Sequence, residues 1–418
     1  MGLSRQLRIV FFGTALVVAA FSTGISFLFF LVYLLAILLL ASRWYARRGL
    51  RGLRAGYYVL NPRAQVGETL EAVYRVDNDS GWSKPWVEVA NDSTLPASLP
   101  GRVIGIGARS SRQWLAKVTL LRRGSYRLGA LRVRTGDPFG LFTSEMVVGR
   151  PTWIVVFPKV HALPHWRLPP SPVDGSTPSR RRYEAATPLV STVRPYVHGD
   201  AINRIHWLSS VRHGELYVKE FDLEQAADLW LLLDLERATQ AGPPENASVE
   251  TAITAAASIA VHTLGENRAV GITVSSRRPQ HLTPDRGTRV EQKILHLLAN
   301  VQADGAQPLA EVVVGTLPQL RRGMTLCIVT GSTDREWVRA LAALRRRGIG
   351  TIVVLLDRFS FDGRDDEESR AELGAVRHAL AEYDIAHHLV RAGDDLPSVL
   401  GRRAIGARTR QVRERSRA

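Results

Sequence analysis

The hydrophobic pattern changes period twice along this chain. Residues 9–42 carry no charged side chain, and almost every position is apolar. One helix over these 34 residues would be about 50 Å long, well beyond a ~30 Å hydrocarbon core. Small, turn-tolerant Ser22-Thr23-Gly24 interrupts the run, so the pattern predicts two spans, near residues 9–21 and 25–41. From residue 55 to 160 the period becomes two. Trp114, Ala116, Val118 and Leu120 alternate with Leu115, Lys117 and Thr119, as in a half-buried strand. Tyr126, Leu128, Leu131 and Val133 repeat the pattern against Arg127, Arg132 and Arg134. Further strands are predicted over 70–76, 86–89 and 153–157, separated by turn signals at Asn78-Asp79, Gly81, Gly124 and Asp137-Pro138-Phe139-Gly140.

From residue 228 short continuous apolar runs alternate with helical patterns. Strands are predicted over 229–233, 269–274, 325–330, 351–356 and 386–390, with helices near 249–264, 290–298, 334–347 and 367–382. Uninterrupted apolar strands between helices predict a parallel, doubly wound α/β sheet, with its site beyond the strands' carboxyl ends. The expected organisation is therefore multidomain. Residues 1–54 form a transmembrane helical hairpin with basic flanks, and 55–160 a small all-β immunoglobulin-like sandwich. Residues 161–192, rich in Pro, Ser and Arg, form a flexible linker. A dense polar segment follows at 193–227, then the α/β domain at 228–400 and a basic tail at 401–418.

Charge places the chain more than it explains it. Of the formal +16, the N-terminal flank, residues 43–54 and the tail hold +13, which leaves the folded domains nearly neutral. Such clusters suit anionic lipid headgroups, at about 1 kcal/mol per residue near the surface. No basic stripe interleaved with aromatics occurs in the domains, so nucleic-acid binding by the tail is the weaker alternative. Arg5 and Arg8 before the apolar run and Arg43, Arg47, Arg48, Arg51 and Arg54 after it put both flanks on the cytoplasmic side. A cleaved signal peptide competes with this reading, but no A-x-A-like site follows the first span. The lone Cys327 lies in an apolar strand and reads as a buried thiol in a reducing compartment. The sequons at Asn78, Asn91 and Asn246 read as turns and a helix start. There is no Walker A loop, Gly-x-Ser-x-Gly elbow or His-Glu-x-x-His. Gly105-Ile106-Gly107 lacks a surrounding βαβ unit. No catalytic residue is predicted.

The segment from 193 reads Arg194-x-Tyr196, Gly199-Asp200, Ile205-x-Trp207, Ser210, Arg212 and Leu216-x-Val218-Lys219. This spacing resembles the signature of the bacterial family called domain of unknown function 58. Val211 stands where that family usually has Ala. Arg122-Arg123-Gly124-x-Tyr126-x-Leu128-Gly129 and residues 137–142 are similar to the family as well. The resemblance implies an α/β domain like that of von Willebrand factor A. It also implies a partner, a MoxR-type AAA+ ATPase, for which this protein would be a membrane-tethered adaptor in assembly or maturation of other, envelope proteins. Its binding residues would be Arg194, Tyr196, Gly199, Asp200, Trp207, Ser210, Arg212 and Lys219. Two readings of the segment stay open. In one, Asp200 caps a short helix, Ile205 and Trp207 pack, and Leu216 and Val218 form an edge strand. In the other, Arg194, Asp200, Arg212 and Lys219 face a partner or an anionic ligand. His198, His206 and His213 offer no i,i+4 pair for a metal.

A von Willebrand A domain holds Mg²⁺ through Asp-x-Ser-x-Ser with a later Thr and Asp, which suits a hard octahedral cation. The corresponding stretch here is Asp234-Leu235-Glu236-Arg237-Ala238, so both serines are lost. Asp234, Glu236 and Asp334 make at most a degenerate metal site, expected to be empty. Arg237 is positioned to replace the ion's charge, and Asp334 equally suits an ordinary helix start. A metal-dependent ligand-binding or hydrolytic activity is the alternative to the adaptor reading.

Overall fold

The computed structural model describes residues 2–169, 190–197, 205–221, 228–243 and 247–406. The chain divides into two units, residues 1–160 with 295–301, and residues 161–294 with 302–418.

The first unit opens with helices α1 (Gly2–Thr23) and α2 (Ser26–Gly49). Gly24 makes the turn between them at φ +67°, a left-handed conformation that costs a residue without Cβ little. α1 folds back along α2. Phe21 meets Phe29 edge to face at 5.2 Å, and a Cβ added at Gly13 would touch Leu35 at 3.8 Å. α2 is long and apolar enough to cross a membrane, while the apolar part of α1, Val10–Thr23, is shorter. Phe27, Phe30, Ile37 and Leu40 of α2 are 60–69% exposed.

Nine strands follow: β1 (Leu53–Val59), β2 (Arg63–Gln65), β3 (Thr69–Asn78), β4 (Lys84–Ser93), β5 (Arg102–Ile106), β6 (Ser110–Thr119), β7 (Gly124–Gly136), β8 (Thr143–Val148) and β9 (Thr152–Phe157). They form a sheet ordered β1-β3-β6 and a second ordered β2-β9-β7-β4-β5, with β8 also on β7. Leu70, Ala72, Tyr74 and Val76 from the first sheet share one apolar core with Val87, Val89, Leu128, Leu131, Ile154 and Val156 from the second. Tyr74 stacks between Tyr57 and Trp114, at 5.9 and 5.4 Å. Asn78 is buried and clamps a turn, donating to the carbonyls of Trp82 and Gly107 at 2.8 and 2.7 Å.

α2 runs on beyond its apolar stretch and seats its last turns against this sandwich. Ala46 and Gly49 are buried, and a Cβ at Gly49 would lie only 2.6 Å from Thr135 Cγ2. Lys84 Nζ donates to the Arg48 carbonyl at 3.0 Å, joining the Arg51 N–H, which donates to the same oxygen at 3.2 Å. Burial, then the nearby Arg48 charge, lowers the Lys84 pKa.

In the second unit β10 (Val190–Pro195) and β11 (Tyr217–Phe221) form an antiparallel ribbon around the short α3 (Trp207–His213). Then come β12 (Leu229–Asp234), α4 (Ser248–Gly265), β13 (Val270–Ser275), β14 (Gln280–Asp285), α5 (Thr288–Asn300, of which residues 295–300 fall in the first unit), α6 (Leu309–Thr316), β15 (Thr325–Thr330), α7 (Glu336–Arg346), β16 (Gly350–Leu356), α8 (Arg358–Phe361), α9 (Glu367–Glu382), β17 (Ala386–Val390) and α10 (Leu396–Gly401). The sheet order is β14-β13-β12-β15-β16-β17. Every pairing is parallel except that of β14 with β13. All residues of β12, β13 and β15 are buried, as two-sided helix cover requires. On one face Trp230, Leu232, Leu326, Ile328 and Val353 pack with Trp337, Leu341, Val376 and Leu380 of α7 and α9.

Two boundaries need correction. The flexible linker expected over 161–192 is packed over 161–169, and β10 already begins at Val190. Leu163 and Trp166 are buried, Trp166 lies 5.2 Å from the His388 ring, and the His161 N–H donates to Ser258 Oγ at 2.9 Å. Two apolar side chains find an apolar seat despite the Pro-rich context. Residues 170–189 lie outside the described residues. The basic tail likewise begins as structure: Ile405 exchanges backbone hydrogen bonds with His387 at 2.9 and 3.0 Å, covering the edge of β17. Residues 407–418 lie outside the described residues.

Because Thr135 fills the space beside Gly49, Gly49→Val should lower the stability of the first unit by about 1–3 kcal/mol through overpacking. A thermal melt of the full chain in detergent with no shift would contradict the rigid joint. Burial drives the His388 pKa down to about 4 and lowers that of His387. The unfolded chain takes up these protons at about pH 6.5 and the folded chain does not. Stability is therefore full above that pH and is lost progressively as pH falls toward 4. The denaturant midpoint read from tryptophan fluorescence should fall over that window, and less steeply in His388→Gln.

Candidate functional site

The three central strands end on side chains that converge. Strand order reverses between β12 and β15, where open α/β sheets place their crevice. Asp234 closes β12, Ser275 closes β13 and Thr330 closes β15. Asp234 is fully buried. Its Oδ1 accepts from the Glu236 N–H at 3.0 Å and the Ser275 hydroxyl at 3.2 Å. Its Oδ2 accepts from Thr330 at 2.7 Å and more weakly from Thr239 at 3.4 Å. The directions of two of these bonds are fixed from outside. Ser275 Oγ accepts from the Leu235 N–H at 3.0 Å, and Thr330 Oγ1 from the Ser332 N–H at 2.8 Å, so both hydroxyls must donate onward. Burial raises the Asp234 pKa, and the donors, Thr330 foremost, only partly offset it.

Backbone closes over this cluster. Gly305 pairs with Glu236; a Cβ there would collide with the Ser275 carbonyl and come within 2.9 Å of that of Leu235. Glu236 leads into the 3-10 turn Arg237–Thr239. Burial, then the charges of Asp234 and Asp334, raises the Glu236 pKa, and Arg358 opposes them. The compensating cation is thus Arg358 of α8 rather than the expected Arg237. Arg358 Nη1 also donates to the Ala238 carbonyl at 2.9 Å. Asp334 Oδ1 accepts from the Glu336 N–H at 3.1 Å, the geometry of a helix start. Outside, Glu236, Arg237, Arg277, Asp304 and Gly305 line an open cleft of about 530 Å³.

These residues do not fit a hard, octahedral Mg²⁺ as they stand. The one fully buried carboxylate already accepts four protein donors, and Asp334 serves its own helix. Among the described residues no group of three or more His, Cys, Asp or Glu side chains is placed to hold a metal ion. Ser275, Thr239 and Thr330 were missed by the sequence reading. For Ser275 and Thr330 the signal was position alone, a hydroxyl residue at the last place of an apolar strand; Thr239, in the turn after β12, gave none.

The signature segment lies elsewhere on the unit. The Tyr196 N–H donates to the Leu216 carbonyl at 2.7 Å. Ser210 is buried; its Oγ donates to the His206 carbonyl at 3.1 Å and accepts the Tyr217 N–H at 2.8 Å, tying α3 to β11. His206, through its ring nitrogen, caps α3 by accepting the Ser209 N–H at 3.2 Å. Ile205 packs at 6% exposure, but Trp207 does not, at 63%, correcting the expectation that both do. Leu208 and Val211 are 79% and 82% exposed, and Arg212 is exposed. Arg194 and Lys219 lie on the β10–β11 ribbon, Lys219 opposite Val193 and Arg194 opposite Val218. Gly199 and Asp200 lie outside the described residues, as does His198.

A family model described as a protein of unknown function, DUF58, matches residues 192–360. The uncharacterized protein YeaD of Bacillus subtilis (strain 168) is 25% identical over 277 residues, covering 65% of this chain and 64% of that protein. The chain thus spans just under two thirds of that relative. Among solved structures, the CARDB domain of a Pyrococcus furiosus protein is similar over 25% of this chain and 91% of its own, at 15% identity and a TM-score of 0.20. Proximal thread matrix protein 1 of the mussel byssus covers 42% of this chain and 46% of its own, at 13% identity and a TM-score of 0.28. Scores this low carry no argument about the fold.

Asp234→Ala leaves the buried Ser275 and Thr330 hydroxyls and the part-buried Glu236 N–H without their acceptor, so it should cost about 1–3 kcal/mol or more. Gly305→Ala should be at least as damaging, because backbone carbonyls cannot yield. Denaturant unfolding of the full chain checks both. Wild-type stability in either variant would mean that the cluster does not hold the strand ends together.

Proposed function

We propose that this protein is a membrane-anchored, non-catalytic adaptor whose α/β unit is bound by a protein partner. The observation that carries this reading is the exposed apolar row on α3. Trp207, Leu208 and Val211 stand in solvent at 63–82% exposure, on a helix that Ser210 and the His206 cap hold in place. An apolar cluster on a braced element is the usual mark of a protein contact. Val211, the departure from the family pattern, enlarges it.

The family resemblance supplies the partner class, a MoxR-type AAA+ ATPase, acting with this protein in assembly or maturation of envelope proteins. In this reading α1 and α2 form a transmembrane hairpin in a bacterial plasma membrane, with arginine-rich flanks and both folded units on the cytoplasmic side. The first unit is an immunoglobulin-like spacer. The second is a von Willebrand factor A-like platform in which Ser275, Thr239 and Thr330 take the place of an ion's ligand shell.

Tagged full-length protein should retain such an ATPase in pull-downs from native membranes, with retention changing on ATP addition. Leu208→Ser/Val211→Ser should lose at least about tenfold of it, the loss expected when two central interface side chains are truncated. Equal recovery with the double variant would remove α3 from the contact. No ATPase in any nucleotide state would contradict the adaptor reading.

A further inference from the structure

One stripe of α2 changes character step by step toward the sandwich. Ile37, Leu40, Trp44 and Arg47 follow one another at intervals of three or four residues, so they stand in line on one face, and Arg51 follows in the turn just past the helix end. Together with Arg43 they line a groove of about 710 Å³. Leu40 and Arg47 are about 10 Å apart along the axis. The opposite face, with Ala46 and Gly49, is the one buried against the sandwich, so this stripe is held facing outward.

The cations in the groove are not equivalent. Arg48 is committed to aromatics, 4.7 Å from the Trp44 ring and 5.8 Å from that of Trp82. Arg43 leans on Phe142 at 5.9 Å, and Arg54, below the groove, pairs with Asp79 at 3.0 Å. Arg47 and Arg51 are exposed, and no acid precedes Glu68 in the sequence. Arg47 and Arg51 line the same groove, where like charges repel, so this ridge is a standing demand for an anion. The ligand that fits has an apolar end beside Ile37 and Leu40, an interfacial middle at Trp44 and a phosphate at Arg47 and Arg51.

We propose that this groove is a binding site for an anionic phospholipid, with its acyl end along Ile37 and Leu40 and its phosphate held by Arg47 and Arg51. The site rests on the reading of α2 as a membrane helix. Interfacial Trp and cytoplasmic Arg are common at helix ends. What sets this groove apart is the rigid seating of the helix, which fixes the cations in one direction.

The test is native mass spectrometry of the full chain, released from vesicles of phosphatidylcholine with one fifth phosphatidylglycerol. The wild type should retain phosphatidylglycerol well above its share. Arg47→Gln should cut that enrichment about fivefold, from about 1 kcal/mol per interfacial cation. Arg47→Lys, which keeps the charge, should retain most of it. Arg54→Gln, the same charge change at a cation already paired, should leave it unchanged. Equal losses for Arg47→Gln and Arg54→Gln would reduce the site to diffuse charge and overturn it. Displacement of the lipid by millimolar inorganic phosphate would reassign the ridge to free anions and overturn it as well. A wild type that floats with the vesicles but retains both lipids equally refutes the groove alone. Failure to float with either composition refutes the anchor, and the groove with it.

Discussion

The architecture of the second unit depends on one buried carboxylate. A charge removed from water costs several kcal/mol unless the protein returns its hydrogen bonds. Asp234 receives them from the ends of β13 and β15, and from the Glu236 N–H and Thr239 hydroxyl just after β12. Any slip in register between the central strands would break one of these bonds. The cluster therefore sets where the strands end, and with them where the loops begin. It also uses up the chemistry that a carboxylate at this place in such a sheet would otherwise offer a ligand.

This explains why the sheet was legible in the sequence and the site was not. β12, β13 and β15 are uninterrupted apolar runs, and their two-sided burial requires that pattern. β14 was missed because Gln280, His281 and Pro284 break any period, which an exposed edge strand tolerates. Asp234 was visible as the acid after the first strand. Its partners were not, because Ser275 and Thr330 come from strands 41 and 96 residues away, and only the fold brings them together. Arg358 displaced Arg237 as the local cation for the same reason. Trp207 was packed in one of the two open readings and a binding residue by the family resemblance; the structure leaves it 63% exposed.

The two units put their unsatisfied groups on different surfaces. In the first, α2 is bolted to the sandwich by Gly49, Thr135 and Lys84, so the cationic end of the helix points in a fixed direction. In the second, Ser210 and His206 brace α3 while its apolar side chains stay in water. Each surface combines a rigid support with side chains that folding leaves without partners. The proposed adaptor role uses that combination.

The most direct test of the adaptor account is a photo-crosslinking amino acid placed at Val211 in the full chain, activated in native membranes with and without ATP. The account predicts a protein adduct containing an AAA+ ATPase, absent when the crosslinker stands at an exposed site on the first unit such as Val147. An adduct pattern that is the same from both positions, or none from Val211, would contradict it.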